Sequence, residues 1–392
     1  MNKLERVRAA LSGAPLDHPP FTLWYHFGLQ HASAERMAQA HLDFFDAYDL
    51  DWLKLMNDYS YPMPKGVETL DHAADLERLG PLDLEETPLG AQLKVIEITA
   101  RALAGRALVV DTLFNAWNTL RRNVVKGAID DMMREHPAAL GRALGAVNDN
   151  LIRYAQAALQ RGAAGIFLSV PASTEFVSRD QYERFMRPYD LELLEAIRGR
   201  GTLHVLHAHG NHIFFDRMIE YPVQALSWAD RDSGPTLGEA RRRTDLALMG
   251  GISQGRFAYE SAAHIRGQIR GALADAGGER GELGLEEDGH AGAAERVAVP
   301  RIADGAPAQR ADGVLHRGEA LDDLILALPE RQPPLLAHEL VEAPSEVSVQ
   351  LTVEVEEGAA EPGGQPLPEC GLPRADQARE VDIHRTAASR AA

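Results

Sequence analysis

Short apolar runs alternate with longer amphipathic ones through the first 276 residues. That alternation constrains the fold more than any other feature of the chain. The candidate strands are 20–27 (PFTLWYHF), 51–57, 106–112, 164–170, 202–208, 223–229 and 246–252. Helical stretches fall between most of them, at 33–48, 91–104, 137–161, 179–199, 211–220, 236–243 and 259–275. Ser178 with Gln181, and Thr236 with Glu239, have the spacing of capping boxes, and Pro137 suits a first helical position. A strand followed by a helix, repeated about seven times, implies parallel strands covered by helices. The expected fold is α/β, a (β/α)8 TIM-type barrel that is incomplete at its last strand. A doubly wound sheet is the alternative. No G-x-G-x-x-G turn follows the first strand and no P-loop pattern occurs, which argues against nucleotide-binding versions of such a sheet.

The pattern stops near residue 277. Every Phe, Tyr and Trp lies at or before Tyr259, the last Lys is Lys126 and the last Met is Met249. Residues 277–392 carry 23 acidic and 10 basic side chains, which is −13 of the total charge of −18. Aromatic side chains dominate core energetics, and a tail with none, rich in Pro, Gly and Glu, is expected to be poorly structured. Two stretches in it retain a pattern. GEALDDLILALPE (318–330) suits a helix, and SEVSVQLTVEVEE (345–357) alternates as a half-buried strand does. The expected organisation is a barrel over 1–276 and a low-aromatic acidic tail over 277–392, largely disordered or unrelated.

The acidic balance excludes binding to a phosphate backbone. A single Cys, Cys370, excludes a disulfide framework and an all-cysteine metal site. No apolar run approaches a membrane span, and the start, NKLERVRAALSG, is a charged amphipathic stretch rather than a signal peptide. The expectation is a cytoplasmic protein with a small-molecule substrate, with no nucleic-acid or membrane partner and with a homodimer left open.

In a barrel, functional side chains gather where the strands end. Those ends hold Tyr25, His26, Asn57, Asp58, Asp111, Ser169, Ser173, Glu175, His207, His209, Trp228, Asp230 and Asp232. The stretch LHVLHAHGNH (203–212) holds four histidines in ten residues. Histidine is both the commonest metal ligand and the side chain that titrates nearest neutral pH. Alternate strand residues share a face, so His207 and His209 should point together at the mouth while His204 points toward the helices. Two imidazoles with the Asp58 carboxylate could hold a metal. Without metal, Asp58 should favour the charged form of whichever histidine it touches.

Several fragments, in order, resemble the uroporphyrinogen decarboxylase superfamily, which includes cofactor-free decarboxylases and zinc-dependent corrinoid methyltransferases. They are ERVRAALSGAPLDHPP (5–20), DLDWLKLMNDYSYP (49–62), SRDQYERFMRPYDLELLEAI (178–197), HAHGNHIFFDRMIEYPVQALSWADR (207–231) and LALMGGIS (246–253). The resemblance covers roughly 1–276. It implies that Asp58 stands where the decarboxylases place the aspartate that holds the pyrrole nitrogens. The arginine-bearing N-terminal segment that grips substrate carboxylates is replaced here by LWYHFGLQ, and the tyrosine after the third strand would fall near Leu120. The methyltransferases' His-x-Cys-Gly reads His207-Ala208-His209-Gly210, with no Cys in the body. The family's eighth strand is not found, as if a reading-frame shift had replaced the C-terminus.

The expected function is decarboxylation of a porphyrinogen or related carboxylated substrate without a cofactor. Asp58 and His207 are the catalytic candidates, and Tyr25, His26, Ser169, Trp228 and Asp230 the substrate-binding ones. The alternatives are methyl transfer with zinc on His207 and His209, and a truncated, inactive barrel.

Overall fold

The computed structural model describes residues 1–275, apart from 68, 69, 71, 125–128 and 254–259. The expectations for the tail, for its patterned stretches at 318–330 and 345–357, and for the boundary at 277 lie outside the described residues.

Six strands form one curled, wholly parallel sheet: β1 (Trp52–Leu55), β2 (Leu108–Phe114), β3 (Gly165–Val170), β4 (Val205–Ala208), β5 (Ala225–Trp228) and β6 (Ala247–Met249). Each strand pairs with the next in sequence, in registers such as Trp52 with Leu108, Val110 with Gly165 and Phe167 with Val205. A doubly wound sheet reverses its strand order at a switch point. The strictly sequential order here is that of a barrel wall, and the doubly wound alternative falls.

Residues 20–27 do not form the regular first strand that their composition suggests. Leu23 makes a lone bridge. The segment is tied to the start of β1 by Asp51 N–H donating to Phe21 O at 3.0 Å and by the Thr22 hydroxyl donating to Trp52 O at 2.8 Å. Pro19 and Pro20 have no N–H for a ladder, so the segment enters as extended chain. A clamp holds it there. Arg6, on the helix Lys3–Ser12, donates to Asp17 at 2.8 Å and to Asp51, and Asp51 in turn accepts from Phe21 N at 2.9 Å.

The two faces of the sheet pack differently. The inner face gathers Val7, Trp24, Trp52, Met56, Val110, Phe167, Leu203, Val205 and Ala225 into one buried cluster. The outer face packs Leu53, Leu55, Val109, Leu113, Ile166, Leu168 and Leu206 against the helices. Burial on both faces explains why the strands read as near-continuous apolar runs.

The helices start largely where the sequence indicates. Ser178 with Gln181 and Thr236 with Glu239 form capping boxes, and Pro137 opens the helix Pro137–Gln160. The stretch 179–199 divides into Arg179–Phe185 and Arg187–Ala196, because Pro188 has no N–H with which to continue the first helix. The stretch 211–220 keeps only Phe215–Met218. Its beginning is used instead by a Ser173–Ile213 bridge and by Phe214 N–H donating to Ala172 O at 2.8 Å. No helix among the described residues is long and apolar enough to cross a membrane.

Candidate active site at the strand ends

Alternation along β4 sets the histidines. His207 and His209 stand edge to face with ring centroids 4.4 Å apart. His204 points the other way, accepting from Ile166 N at 3.2 Å and bonding Arg200 O at 2.6 Å. His207 is 3% exposed, lies against Phe167 at 5.2 Å and Trp24 at 6.2 Å, and pairs through Nδ1 with the Ser227 hydroxyl at 2.9 Å. His209 pairs through Nε2 with the Ser169 hydroxyl at 2.7 Å. The turn that follows requires its glycine. Gly210 has φ +93°, and a Cβ there would collide with the Ser173 hydroxyl and come within 2.8 Å of Phe176.

Asp58 does not join this pair. Its Oδ1 is held by His26 Nδ1. Asp58 Oδ2 is buried with no hydrogen-bond partner among the described residues. The imidazolium expected beside Asp58 is therefore not His207 or His209. Burial pushes His207 well below the usual histidine value and His209 down to about 3, helped for His209 by Arg122, Lys54 and Arg121. Both rings are neutral at physiological pH, so His207 is not a standing proton donor.

The same separation bears on zinc. Among the described residues no three His, Cys, Asp or Glu side chains converge as metal ligands. His207 and His209 each engage a serine and Asp58 engages His26, so the set of two histidines and one carboxylate does not assemble.

Two predicted substrate residues serve the framework instead. Trp228 is 1% exposed, packs on Phe215 at 5.2 Å and donates its indole N–H to Pro235 O at 2.9 Å. It lies on the outer face, and Ser227 takes the inner one. Asp230 accepts from Gly251 N at 2.7 Å and pins the turns after β5 and β6 together. Asp111, another strand-end candidate, also faces outward, accepting from Gln92 and Tyr154 at 2.7 Å each. Glu175 binds Asn211 N at 2.7 Å. Ser169 is inward, on His209.

At or just past the ends of the strands lie Tyr25, His26, Asn57, Asp58, Tyr59, Trp117, Arg121 and Ser173, with Asn57 donating to the Tyr154 hydroxyl at 3.4 Å. Among the described residues, the Tyr25 and Tyr59 hydroxyls, Asn57 Oδ1, Trp117 Nε1, Arg121 Nε and the Ser173 hydroxyl are buried without hydrogen-bond partners. Buried polar groups are almost always paired, so such a set is what a ligand site leaves open. Burial raises both tyrosines, which keeps them as hydroxyl donors at neutral pH. Arg121 lies over Phe176 at 5.1 Å and Trp117 at 5.6 Å. Its neighbour Arg122 lies over Phe114 at 5.0 Å.

Sequence reasoning missed Arg121, Arg122 and, above all, Lys54. Lys54 is 3% exposed on the inner face, 4.2 Å from the centre of the Trp24 ring and 4.4 Å from that of Phe167. The available signal was its alternation with Trp52 and Met56, which puts it on an apolar face.

This geometry can be set beside known proteins. The sequence profile described as Uroporphyrinogen decarboxylase (URO-D) matches residues 2–282. A uroporphyrinogen decarboxylase of Actinobacillus succinogenes is 25% identical over 232 residues, 56% of this chain. The chain spans 64% of that relative's length, just under two thirds. Among solved structures, a methyltransferase from Methanosarcina mazei superposes with a TM-score of 0.61 at 18% identity, over 70% of this chain and 90% of that one. At that identity the likeness speaks for the fold alone. The profile, however, runs from the N-terminal helix through all six strands, and by that match the chain belongs to the uroporphyrinogen decarboxylase family.

Proposed function

We propose that the chain decarboxylates a carboxylated substrate, a porphyrinogen or a smaller relative, without a cofactor. The observation that carries this reading is the half-engaged Asp58. His26 fixes one oxygen, and the other is buried and open. An acceptor oriented in this way can take the N–H of a pyrrole. When a ring carbon is protonated and carbon dioxide leaves, the same carboxylate faces the positive charge that develops. An oriented, poorly solvated charge of this kind stabilises a transition state without reorganising.

Arg121 and Arg122 supply the positive charge that the missing N-terminal arginines would have given. They lie just past the short helix Ala116–Thr119 that follows β2, and a guanidinium fork suits a carboxylate. His209 and Ser169 form the neutral wall between them and the floor. The proton for the ring carbon comes from water rather than from the deeply buried His207. The tyrosine and serine hydroxyls at the mouth orient the remaining polar edges of the substrate.

The test is carbon dioxide release from uroporphyrinogen by the purified chain, with unfolding followed in parallel. Asp58→Asn should slow release by about 10²–10³-fold while leaving cooperative unfolding intact. A cooperatively folded chain that releases no carbon dioxide from any carboxylated pyrrole would overturn the reading.

A further inference from the structure

Lys54 has no place in that mechanism, yet its amine is buried on the inner face of the sheet. It makes no ion pair among the described residues, and its Nζ lies 2.7 Å from the Met56 sulfur. The walls around it are the Trp24 and Phe167 rings, which also flank His207. An ammonium ion without a carboxylate in such surroundings is unfavourable, and a leucine or methionine would fill the space at no electrostatic cost.

We propose that Lys54 is a carbonyl-reactive amine on the barrel floor, which forms a protonated imine with a 3-oxo acid. The proposal rests on reading the mouth above it as the site of a carboxylated substrate, and it extends the substrate class from pyrroles to oxo acids. Three features of the place support it. Burial holds the amine well below its usual range, against the opposing pull of Asp58 and Asp111. A neutral amine carries the lone pair that attacks a carbonyl carbon, and desolvation in an apolar pocket is a known way to activate lysine. The Trp24 and Phe167 ring faces attract any cation at this nitrogen, so they oppose the loss of the proton only in part, desolvation being the larger effect, and they stabilise the iminium as it forms. Met56, on the same face and one step nearer the mouth, has an unbranched and adaptable side chain that can move aside.

The chemistry balances. The Lys54 nitrogen bonds to the carbonyl carbon of the oxo acid, the carbonyl oxygen leaves as water with the two amine hydrogens, and a proton taken from solvent, returned when the amine is freed, makes the product a protonated imine. The bond between the α-carbon and the carboxylate then breaks. Its electron pair forms the carbon–carbon double bond of an enamine, the iminium nitrogen takes up the imine pair, and carbon dioxide departs. The enamine carbon takes a proton from water. A second water adds to the resulting iminium and releases the ketone and the free amine.

The experiment treats the full-length chain with acetoacetate, reduces it with borohydride and maps the adduct by peptide mass spectrometry. The chain has only five lysines, Lys3, Lys54, Lys65, Lys94 and Lys126, so the map is unambiguous. The expected result is near-stoichiometric label on Lys54, with carbon dioxide released from acetoacetate before reduction. Lys54→Arg should lose both, with release at least tenfold slower. If Lys54→Arg fails to fold, the map of the unaltered chain still decides. Label confined to the other lysines, label spread evenly over all five, or undiminished release by a folded Lys54→Arg would each overturn the proposal. Uroporphyrinogen decarboxylation with Lys54 unlabelled would sink this proposal and leave the reading of the mouth standing. Label on Lys54 with acetoacetate turnover, but none from any pyrrole, would support the amine and retire the porphyrinogen assignment.

Discussion

The outer and inner faces of this sheet both bury ionisable groups, but they treat them differently. Outside, Asp111 accepts from Gln92 and Tyr154, and Asp190 accepts from Asn115 at 3.0 Å and Tyr221 at 3.1 Å. His41 uses both ring nitrogens, on Met37 O at 3.0 Å and Met56 N at 3.2 Å, and His204 does the same on Arg200 and Ile166. Inside and at the mouth, Lys54 has aromatic rings and a thioether for company, and Asp58 keeps an open oxygen. Burial alone therefore does not mark a functional site in this molecule. Incomplete pairing is the better pointer, because a group meant for a ligand must keep something back, but it is not sufficient by itself, since Gln92 Oε1 on the outer side also lacks a partner among the described residues.

The contrast can be broken by substitution. Asp190→Ala should give the largest effect, since it strands two buried donors, on Asn115 and Tyr221. Each stranded group costs about 1–3 kcal/mol, so urea unfolding should report a loss of about 3 kcal/mol. A loss under about 1 kcal/mol would mean that the outer network is not structural. Lys54→Met should act in the opposite direction, raising stability by about 1 kcal/mol or more as a buried polar amine gives way to a well-packed apolar side chain. A variant that melts lower than the parent would make Lys54 a framework residue and erase the distinction between the faces.

The pH dependence sharpens the comparison further. Burial raises Asp111 and Asp190 to about 7 each. Between about pH 4 and 7 the folded state then keeps protons that the unfolded chain has released, so both groups withdraw stability as pH rises through that window. Buried neutral histidines such as His41, lowered to about 4, tilt the profile the other way below about 6.5. The informative quantity is therefore a difference. Relative to the parent, Asp111→Asn should gain stability steadily from pH 4 to 7 and no more above it. Gln92, whose Oε1 is unpartnered, can turn its amide to accept from the new Asn. Urea midpoints measured across pH 4–8 would expose parallel curves if Asp111 were an ordinary carboxylate. The smallest effect belongs to Ser173→Ala. Its hydroxyl has no partner among the described residues, so stability should change by less than about 0.5 kcal/mol while substrate KM rises. A change of 1 kcal/mol or more would place Ser173 with the framework.

Much of the architecture was legible because apolar runs and capping residues act locally. Five of the six strands fall within the runs read as strands, β2 runs on to Phe114 past the end of its run at 112, and the opposed directions of His204 and His207 followed from alternation alone. The first run failed because Pro19 and Pro20 remove the donors a strand needs, which is a backbone matter that apolar pattern does not record. Trp228 was assigned to the site and Ser227 passed over, because a short strand buried on both faces gives no amphipathic cue to fix its register. Lys54 stayed hidden for the same reason, since both faces of WLKLM are apolar and nothing in the run marks which one lines the site. Pairings such as His26 with Asp58 join positions 32 apart, and spacing does not encode them.

The strictly sequential strand order has a consequence in time. Each strand's partner is the one made just before it, so the wall can grow in the order in which a ribosome delivers it. Tyr25, His26, Lys54, Asp58, Arg121, Ser169 and His209 are all in place once β4 has docked. Ser227, behind His207, is the contribution of the later strands. The residues of the candidate site are thus nearly all synthesised before the last strands of the wall.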